Sequence, residues 1–299
     1  MTLKKRKTIH IVAWQMLLMG LLGLSGIIFV PLLLHRADPQ LMAEVLIAHV
    51  YVYYMAVLVQ FGFVMSGPAA MARATDPAGK VQVLKMALYT KRLLVLPVAL
   101  LFGLTFAGFA WGQWHLLWFA LLILAFAVNS NWFLQAQQNF AVGVAFAALG
   151  VGLSVCILLI FPPEGAWPVL ILLMPQVSLG FGTWWFSRGI NIGIAQTNSS
   201  WQESLGLLRK DAPLVASQLL LLATTTLGTV VVGGLGEPQT TAAYAATEKL
   251  FNLGATVIVG MYMAVYPRFA DWFYSDRSVF WVKVNQLMLA SLCVGGGGV

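Results

Sequence analysis

Long apolar stretches follow one another along this chain, and they constrain its fold more than any other feature. Eight of them are long enough to cross a hydrocarbon layer of about 30 Å as α-helices. They occupy residues 11–34, 43–65, 93–110, 116–133, 140–161, 167–186, 213–235 and 241–266. A ninth begins near Leu287 and reaches only about 20 Å by Val299. The sequence therefore predicts an all-α, polytopic integral membrane protein with eight full transmembrane helices and a partial ninth.

The composition excludes an ordinary soluble domain. Hydrophobic residues make up 60% of the chain and charged residues 9%, against roughly 45–50% and 25% in soluble proteins. The formal charge of +7 does not indicate nucleic-acid binding, because the basic residues follow the pattern of membrane topology. Cys156 and Cys293 each lie in an apolar run, which predicts small core side chains and neither a disulfide nor a metal site.

The placement of Lys and Arg predicts the orientation. If the N-terminus is cytoplasmic, all but two of the 17 basic residues fall on the cytoplasmic side. The exceptions are Arg36, on the outer side, and Lys249, within the eighth stretch. We therefore expect a multi-pass protein of the bacterial inner membrane, with an uncleaved first helix after Lys4-Lys5-Arg6-Lys7.

The stretches divide into a complete six-helix bundle and an incomplete second one. We assign residues 1–190 to the first bundle, 191–212 to a cytoplasmic linker, and 213–299 to two helices and a partial third. Asp38-Pro39-Gln40 precedes the second stretch and Glu237-Pro238-Gln239 the eighth, which suggests a parallel repeat of six helices. At this offset His49 corresponds to Glu248.

No catalytic motif is present in the sequence, so we expect a protein that is not an enzyme and needs no cofactor. There is no Gly-rich phosphate loop ending in Lys-Ser/Thr, and no Gly-x-Ser-x-Gly. The four histidines lack the spacing of metal ligands. Membrane enzymes can distribute their residues over several helices, so an enzyme of polysaccharide assembly stays an alternative.

Glu248 and Lys249 are the clearest candidates for function, because ionisable groups in membrane helices usually face a polar cavity or a partner. Tyr244, Glu248 and Asn252 form a polar stripe at a spacing of four residues. Lys249 could instead extend to the interface, with Glu248 fixed to another helix for packing. His49 is a candidate for proton coupling, or a histidine that hydrogen-bonds between helices. Hydrogen bonding between helices is the expected role of a further set of polar residues, Gln60, Asn129, Gln176 and Gln218.

Three segments resemble motifs of a known family. Asn131-Trp132-Phe133-Leu134-Gln135-Ala136 resembles the segment that closes the fourth helix of polysaccharide-transport flippases. Tyr244-Ala245-Ala246-Thr247-Glu248-Lys249-Leu250 and Tyr266-Pro267-Arg268 resemble motifs of their eighth helix. The chain is thus similar to the O-antigen and exopolysaccharide exporters (Wzx type), although Ala136 replaces a glycine. Such proteins usually have twelve or more helices, so the resemblance implies a C-terminally truncated form.

The resemblance implies a flippase that carries polyprenyl-diphosphate-linked oligosaccharide to the periplasmic leaflet, with membrane lipids, a polysaccharide polymerase and a chain-length regulator as candidate partners. Lys249 would pair with the diphosphate or an acidic sugar, and Glu248 would bind a proton or a cation, or would fix Lys249 in place. Arg73, Arg92 and Arg268 would attract the diphosphate first, or act only as topology determinants. A drug or cation antiporter of the same superfamily and an inactive remnant remain alternatives.

Overall fold

A computed structural model describes residues 3–296 of the chain, except residues 75, 107–113, 138, 163, 165–166 and 189–200. The described residues form twelve α-helices and one π-helical turn, with no strand among them. Six segments of this part are long and apolar enough to cross a membrane, judged by length and composition. The all-helical fold is therefore confirmed, whereas the number of eight spans stays a prediction.

The first half of the chain contains six helices and the π-helical turn. They are α1 (Leu3–Leu24), the π turn (Ser25–Phe29), α2 (Val30–Arg36), α3 (Pro39–Gln60), α4 (Phe63–Arg73), α5 (Pro77–Phe106) and α6 (Trp114–Val128). The second half continues with α7 (Asn131–Ala136), α8 (Phe140–Ile160), α9 (Trp167–Arg188), α10 (Trp201–Leu235), α11 (Pro238–Ser275) and α12 (Arg277–Gly296).

Two of the predicted spans are interrupted. The second is broken after α3, where Phe61 and Gly62 have positive φ angles of 42° and 75°, a conformation that cannot continue a right-handed helix. The fourth is broken between α6 and α7 at Asn129 and Ser130. The fifth and sixth stretches, in contrast, coincide with α8 and α9 to within two residues at either end.

The predicted start of the last helix near Leu287 is wrong. Helix α12 begins at Arg277 and has 20 residues, which corresponds to a length of about 30 Å. The Asp276 carboxylate accepts hydrogen bonds from the Ser278 hydroxyl and from the backbone N–H groups of Ser278 and Val279. The hydrogen bond from the Ser278 hydroxyl has the largest effect on the pKa of Asp276, which these bonds lower. This cap allows the helix to begin at Arg277. Hydropathy alone did not predict this start, because the first turns of the helix contain polar side chains.

Helices α10 and α11 also extend beyond the predicted stretches. Helix α10 begins at Trp201, inside the segment assigned to a linker, and α11 continues to Ser275. The proposed division at residues 190 and 212 stays a prediction.

The two repeated tripeptides occupy equivalent positions in two helices. Pro39 begins α3 and Pro238 begins α11, each after an acidic residue in extended conformation. Proline suits this position because its fixed φ angle fits the first turn. The N–H group that proline lacks would have no acceptor within the helix at this position. Helices α3 and α11 pack against each other.

Close packing joins the first helices of the chain to the last. Helix α1 lies against α8 and α11, and α3 lies against α10 and α11. Ala242 and Ala245 of α11 belong to the same buried core as residues of α2, α3, α5, α6, α8 and α9. The point where α1, α3, α10 and α11 meet contains the polar groups described next.

Candidate functional site

Lys249 lies within a cluster of polar and aromatic side chains. Its ammonium nitrogen is 3.1 Å from Nδ1 of His49 and 5.7 Å from the centroid of the Tyr53 ring. The rings of His49 and Tyr53 meet edge to face with their centroids 4.8 Å apart. A protonated lysine can only donate, so Nδ1 of His49 is then the acceptor and the histidine is neutral.

Helix geometry explains this cluster. His49 and Tyr53 are four residues apart on α3, so their side chains lie on the same face. Gly26, in the π turn, lies beside the aliphatic part of Lys249, and a Cβ atom on it would be 3.7 Å from Lys249 Cδ. A larger residue at position 26 would occupy the space next to the lysine.

A cavity of about 210 Å³ surrounds the Lys249 cluster. We call it the lysine cavity, and its walls come from α1, the π turn, α3, α10 and α11. The lining residues are Leu22, Gly23, Gly26, His49, Tyr53, Leu222, Thr225, Thr226, Lys249 and Asn252.

A second cavity of about 550 Å³ adjoins the first. The two share six lining residues, among them Tyr53, Thr225 and Asn252. Seven carboxamide side chains line the larger cavity, which we call the amide chamber: Gln60, Asn129, Asn131, Gln135, Gln176, Gln218 and Asn252. Among the described residues that line it, none carries a charge.

The helix break between α6 and α7 holds several of these amides. The Lys91 ammonium group donates a hydrogen bond of 2.7 Å to the carbonyl oxygen of Asn129, at the C-terminal end of α6. The Asn129 side chain accepts from the backbone N–H of Asn131 at 2.9 Å. The backbone N–H of Ser130 donates to Thr183 on α9 at 3.0 Å. These bonds fix the break in place.

The residues of the predicted stripe on α11 lie along α10 but differ in their exposure and in their contacts. Asn252 lines both cavities, and Glu248 accepts a hydrogen bond of 2.7 Å from the Thr229 hydroxyl on α10. Tyr244 is 43% exposed and lies beside Gly228. Four residues advance a helix by about 400°, so each step turns the side chain by about 40°. This rotation accompanies the change from an exposed Tyr244 to an Asn252 that lines both cavities, while all three residues stay beside α10.

Glu248 retains one oxygen without a partner. Its Oε1 atom is buried and has no hydrogen-bond donor among the described residues. Glu248 and Lys249 turn to different neighbours, Thr229 and His49, as the angle between adjacent residues predicts.

The three predicted arginines lie outside the two central cavities. Arg73 is exposed, donates to the carbonyl oxygen of Ala69 at 3.2 Å, and lines a separate cavity of about 290 Å³ beside Asp211. Arg92 is exposed on α5, and Arg268 is partly buried on α11. Their role in attracting a substrate stays a prediction.

The structure adds Tyr53, Asn131, Trp132 and Gln135 to the candidate residues. The sequence assigned Gln60, Asn129, Gln176 and Gln218 to hydrogen bonds between helices, one helix at a time. A signal was available in the recurrence of a carboxamide within successive apolar stretches, but a single sequence does not show that these residues converge on one cavity.

Known proteins do not add to this description. No family model matches the chain, and neither a curated protein nor a solved structure matches it. No group of three or more His, Cys, Asp or Glu residues that could hold a metal is found in the described part of the chain.

Proposed function

We propose that this protein is a carrier of the bacterial inner membrane that moves a polyprenyl-diphosphate-linked oligosaccharide from the cytoplasmic to the periplasmic leaflet. The observation that supports this most is a pair of adjoining cavities, inside a bundle of apolar helices, whose lining includes a lysine and seven carboxamides. A saccharide cannot cross hydrocarbon unaided, because its hydroxyl groups would lose their hydrogen bonds. The polar side chains of these cavities would replace those bonds while the lipid tail stays in the bilayer.

Lys249 is the proposed partner of the diphosphate. It is the cationic residue among those that line the two cavities in the described part of the chain, and a phosphate oxygen accepts strong hydrogen bonds from an ammonium group. His49 orients this group through the bond at 3.1 Å. The diphosphate would therefore occupy the lysine cavity.

Glu248 is the proposed site of the coupling ion. Its buried Oε1 atom lacks a donor among the described residues, and a proton or a cation would satisfy it. The same carboxylate is what favours the second candidate, a drug or cation antiporter. Lys249 argues against that candidate, because its positive charge would repel a cationic drug in the adjoining cavity.

Reconstitution into liposomes tests the proposal. The probe is a fluorescent short-chain polyprenyl diphosphate that carries a neutral trisaccharide, and the measurement is its transfer from the outer to the inner leaflet. We expect transfer with the wild-type chain and at least a tenfold loss with Lys249→Ala, because about 1.4 kcal/mol of lost charge-assisted binding is a factor of ten. Lys283→Ala is the matched control, since Lys283 lies on α12 outside the lining of both cavities, where its ammonium group donates to the side chain of Gln286.

Transfer at the wild-type rate by Lys249→Ala would remove Lys249 from the mechanism. Absence of transfer by the wild-type chain, in membranes where it exports a cationic dye, would replace the flippase proposal with the antiporter.

A further inference from the structure

The amide chamber has a chemical character that differs from that of the lysine cavity. Its described lining is largely apolar, with side chains such as Met19, Leu221 and Met263, and its polar groups are seven carboxamides, the phenol of Tyr53 and the indole of Trp132. No carboxylate, ammonium or guanidinium group is among these described lining residues. Its volume of about 550 Å³ falls within the roughly 300–1,000 Å³ of typical small-molecule sites. It can therefore hold a ligand of substantial size without offering a counter-charge.

Carboxamides match hydroxyl groups in a way that charged side chains do not. Each carboxamide has two N–H donors and a carbonyl acceptor, and each hydroxyl both donates and accepts. A carboxylate on a ligand would only accept, which leaves the carbonyl oxygens of the chamber facing an anion. Without a cation in the wall, the transfer of that anion from water into the chamber is strongly unfavourable.

Trp132 supplies a further unused donor. Its side chain is 3% exposed, and its Nε1 atom has no hydrogen-bond partner among the described residues. The ring is held against Gly67 of α4, where an added Cβ atom would collide with it. A buried N–H group without an acceptor is unfavourable, and a ligand oxygen in contact with it would remove this cost.

We propose that the amide chamber selects an uncharged, polyhydroxylated saccharide, and that the Trp132 indole N–H binds one of its oxygens. The inference rests on the proposed function, because it treats the chamber as the saccharide part of a site whose diphosphate part is the lysine cavity. The saccharide that the chamber encloses consists of neutral sugars, without uronic acids or other acidic substituents. Charge recognition and sugar recognition are thereby separated between two adjoining cavities.

A binding experiment with three probes tests the class of saccharide. The full chain in lipid nanodiscs is titrated with a short-chain polyprenyl diphosphate, with the same lipid carrying a neutral hexose trisaccharide, and with the analogue in which one hexose is a hexuronic acid. We expect the neutral trisaccharide to bind tighter than the bare lipid, and the acidic analogue to bind about tenfold or more weaker than the neutral one.

Each other outcome overturns a defined part. Equal affinity for the two saccharides would disprove selection of an uncharged ligand while leaving the flippase proposal intact. Failure of all three probes to bind would remove both the proposed function and this inference.

Two substitutions test the chamber directly. Trp132→Phe keeps the ring but loses the N–H group, so affinity for the neutral saccharide should fall about five- to tenfold, with no change for the bare lipid. Trp185→Phe, at a tryptophan that is 70% exposed on α9, should change neither. An equal loss for both probes in Trp132→Phe would disprove the hydrogen bond to the saccharide.

Gln218→Lys provides the converse measurement, since it places a cation in the wall of the chamber. The ratio of affinities should shift toward the acidic analogue by about tenfold, because the anion then has a counter-charge. An unchanged ratio in a folded variant would show that the chamber does not hold the saccharide.

Discussion

Lys91 is fully buried in α5, and its ammonium nitrogen lies 2.7 Å from the carbonyl oxygen of Asn129. That carbonyl belongs to the C-terminal end of α6, where a helix carries partial negative charge. The interaction is therefore a side-chain cap on the break between α6 and α7. Lys91 is one of the basic residues that the sequence predicts on the cytoplasmic side, and only the packing of the helices reveals its burial.

Replacement of Lys91 by methionine should destabilise the protein. The carbonyl oxygen of Asn129 would lose its donor while staying buried, at a cost of about 1–3 kcal/mol. We expect a lower midpoint of thermal unfolding in detergent for Lys91→Met. The neighbouring exposed Arg92 provides the control: Arg92→Met should leave the midpoint unchanged, and equal midpoints for both variants would argue against the cap.

His49 provides a test of the acceptor role. His49→Phe removes the atom that lies 3.1 Å from the Lys249 nitrogen, so binding of the polyprenyl diphosphate should weaken by about five- to tenfold. His49→Asn should recover much of the affinity, because its carboxamide oxygen can stand near the position of Nδ1. Full affinity in His49→Phe, or no recovery of affinity in His49→Asn, would show that this bond does not orient Lys249.

At the scale of elements, α8 and α9 form a closely packed pair. A Cβ atom on Gly150 of α8 would lie 2.5 Å from Pro175 Cα of α9, whereas one on Gly152 would meet nothing within 4 Å. The Ser154 hydroxyl of α8 donates across the same contact to the carbonyl oxygen of Ile171 at 2.8 Å. Small residues permit such an approach of two backbones.

Gly150→Ala should therefore destabilise the pair by about 1–3 kcal/mol, since neither backbone can move without repacking. Gly152→Ala, two residues away, should be neutral or slightly stabilising because alanine favours the helix. Thermal unfolding of the two variants in the same detergent makes the comparison. Similar effects at both positions would contradict the close contact.

The sequence predicted these helices better than it predicted their interruptions. Apolar length was sufficient for α8 and α9, because each is one unbroken run between turns. It failed at Phe61 and Gly62, where the break depends on two backbone dihedral angles rather than on hydropathy. It failed also for the amide chamber, whose residues come from separate helices and meet only after packing.

At the scale of the whole molecule, hydrogen bonds join α10 to helices of the first half at two levels, one near residues 204–211 and one at Thr226. The Ser66 hydroxyl of α4 donates to the buried Asp211 carboxylate at 2.6 Å, and that of Thr90 on α5 donates to Ser204 at 3.3 Å. Further along α10, the Thr226 hydroxyl lies 3.4 Å from that of Tyr54 on α3. A carrier that alternates its access must separate α10 from the first helices at one of these levels.

A covalent link between α4 and α10 should therefore stop transport. Cysteines replace Ser66 and Asp211 in a chain whose Cys156 and Cys293 are serine, and a short thiol-specific crosslinker joins them. We expect leaflet transfer of the fluorescent probe to fall at least tenfold on crosslinking, because the open state becomes inaccessible. Each single-cysteine variant treated with the same reagent is the control. Undiminished transfer by the crosslinked chain would show that these helices stay together throughout the cycle.

The π turn in the first membrane segment has a consequence for how this protein can be compared with others. A π turn contains one residue more than the α-helical turn that it replaces, and Gly26 within Ser25–Phe29 lies against the stem of Lys249. A homologue with a continuous α-helix here would be one residue shorter. In an alignment, its residues before the turn would be offset by one position from its residues after the turn. An alignment of homologues should therefore show a single-residue insertion at this turn in those that keep a lysine at position 249. The insertion and the lysine would then mark the proteins that share the lysine cavity.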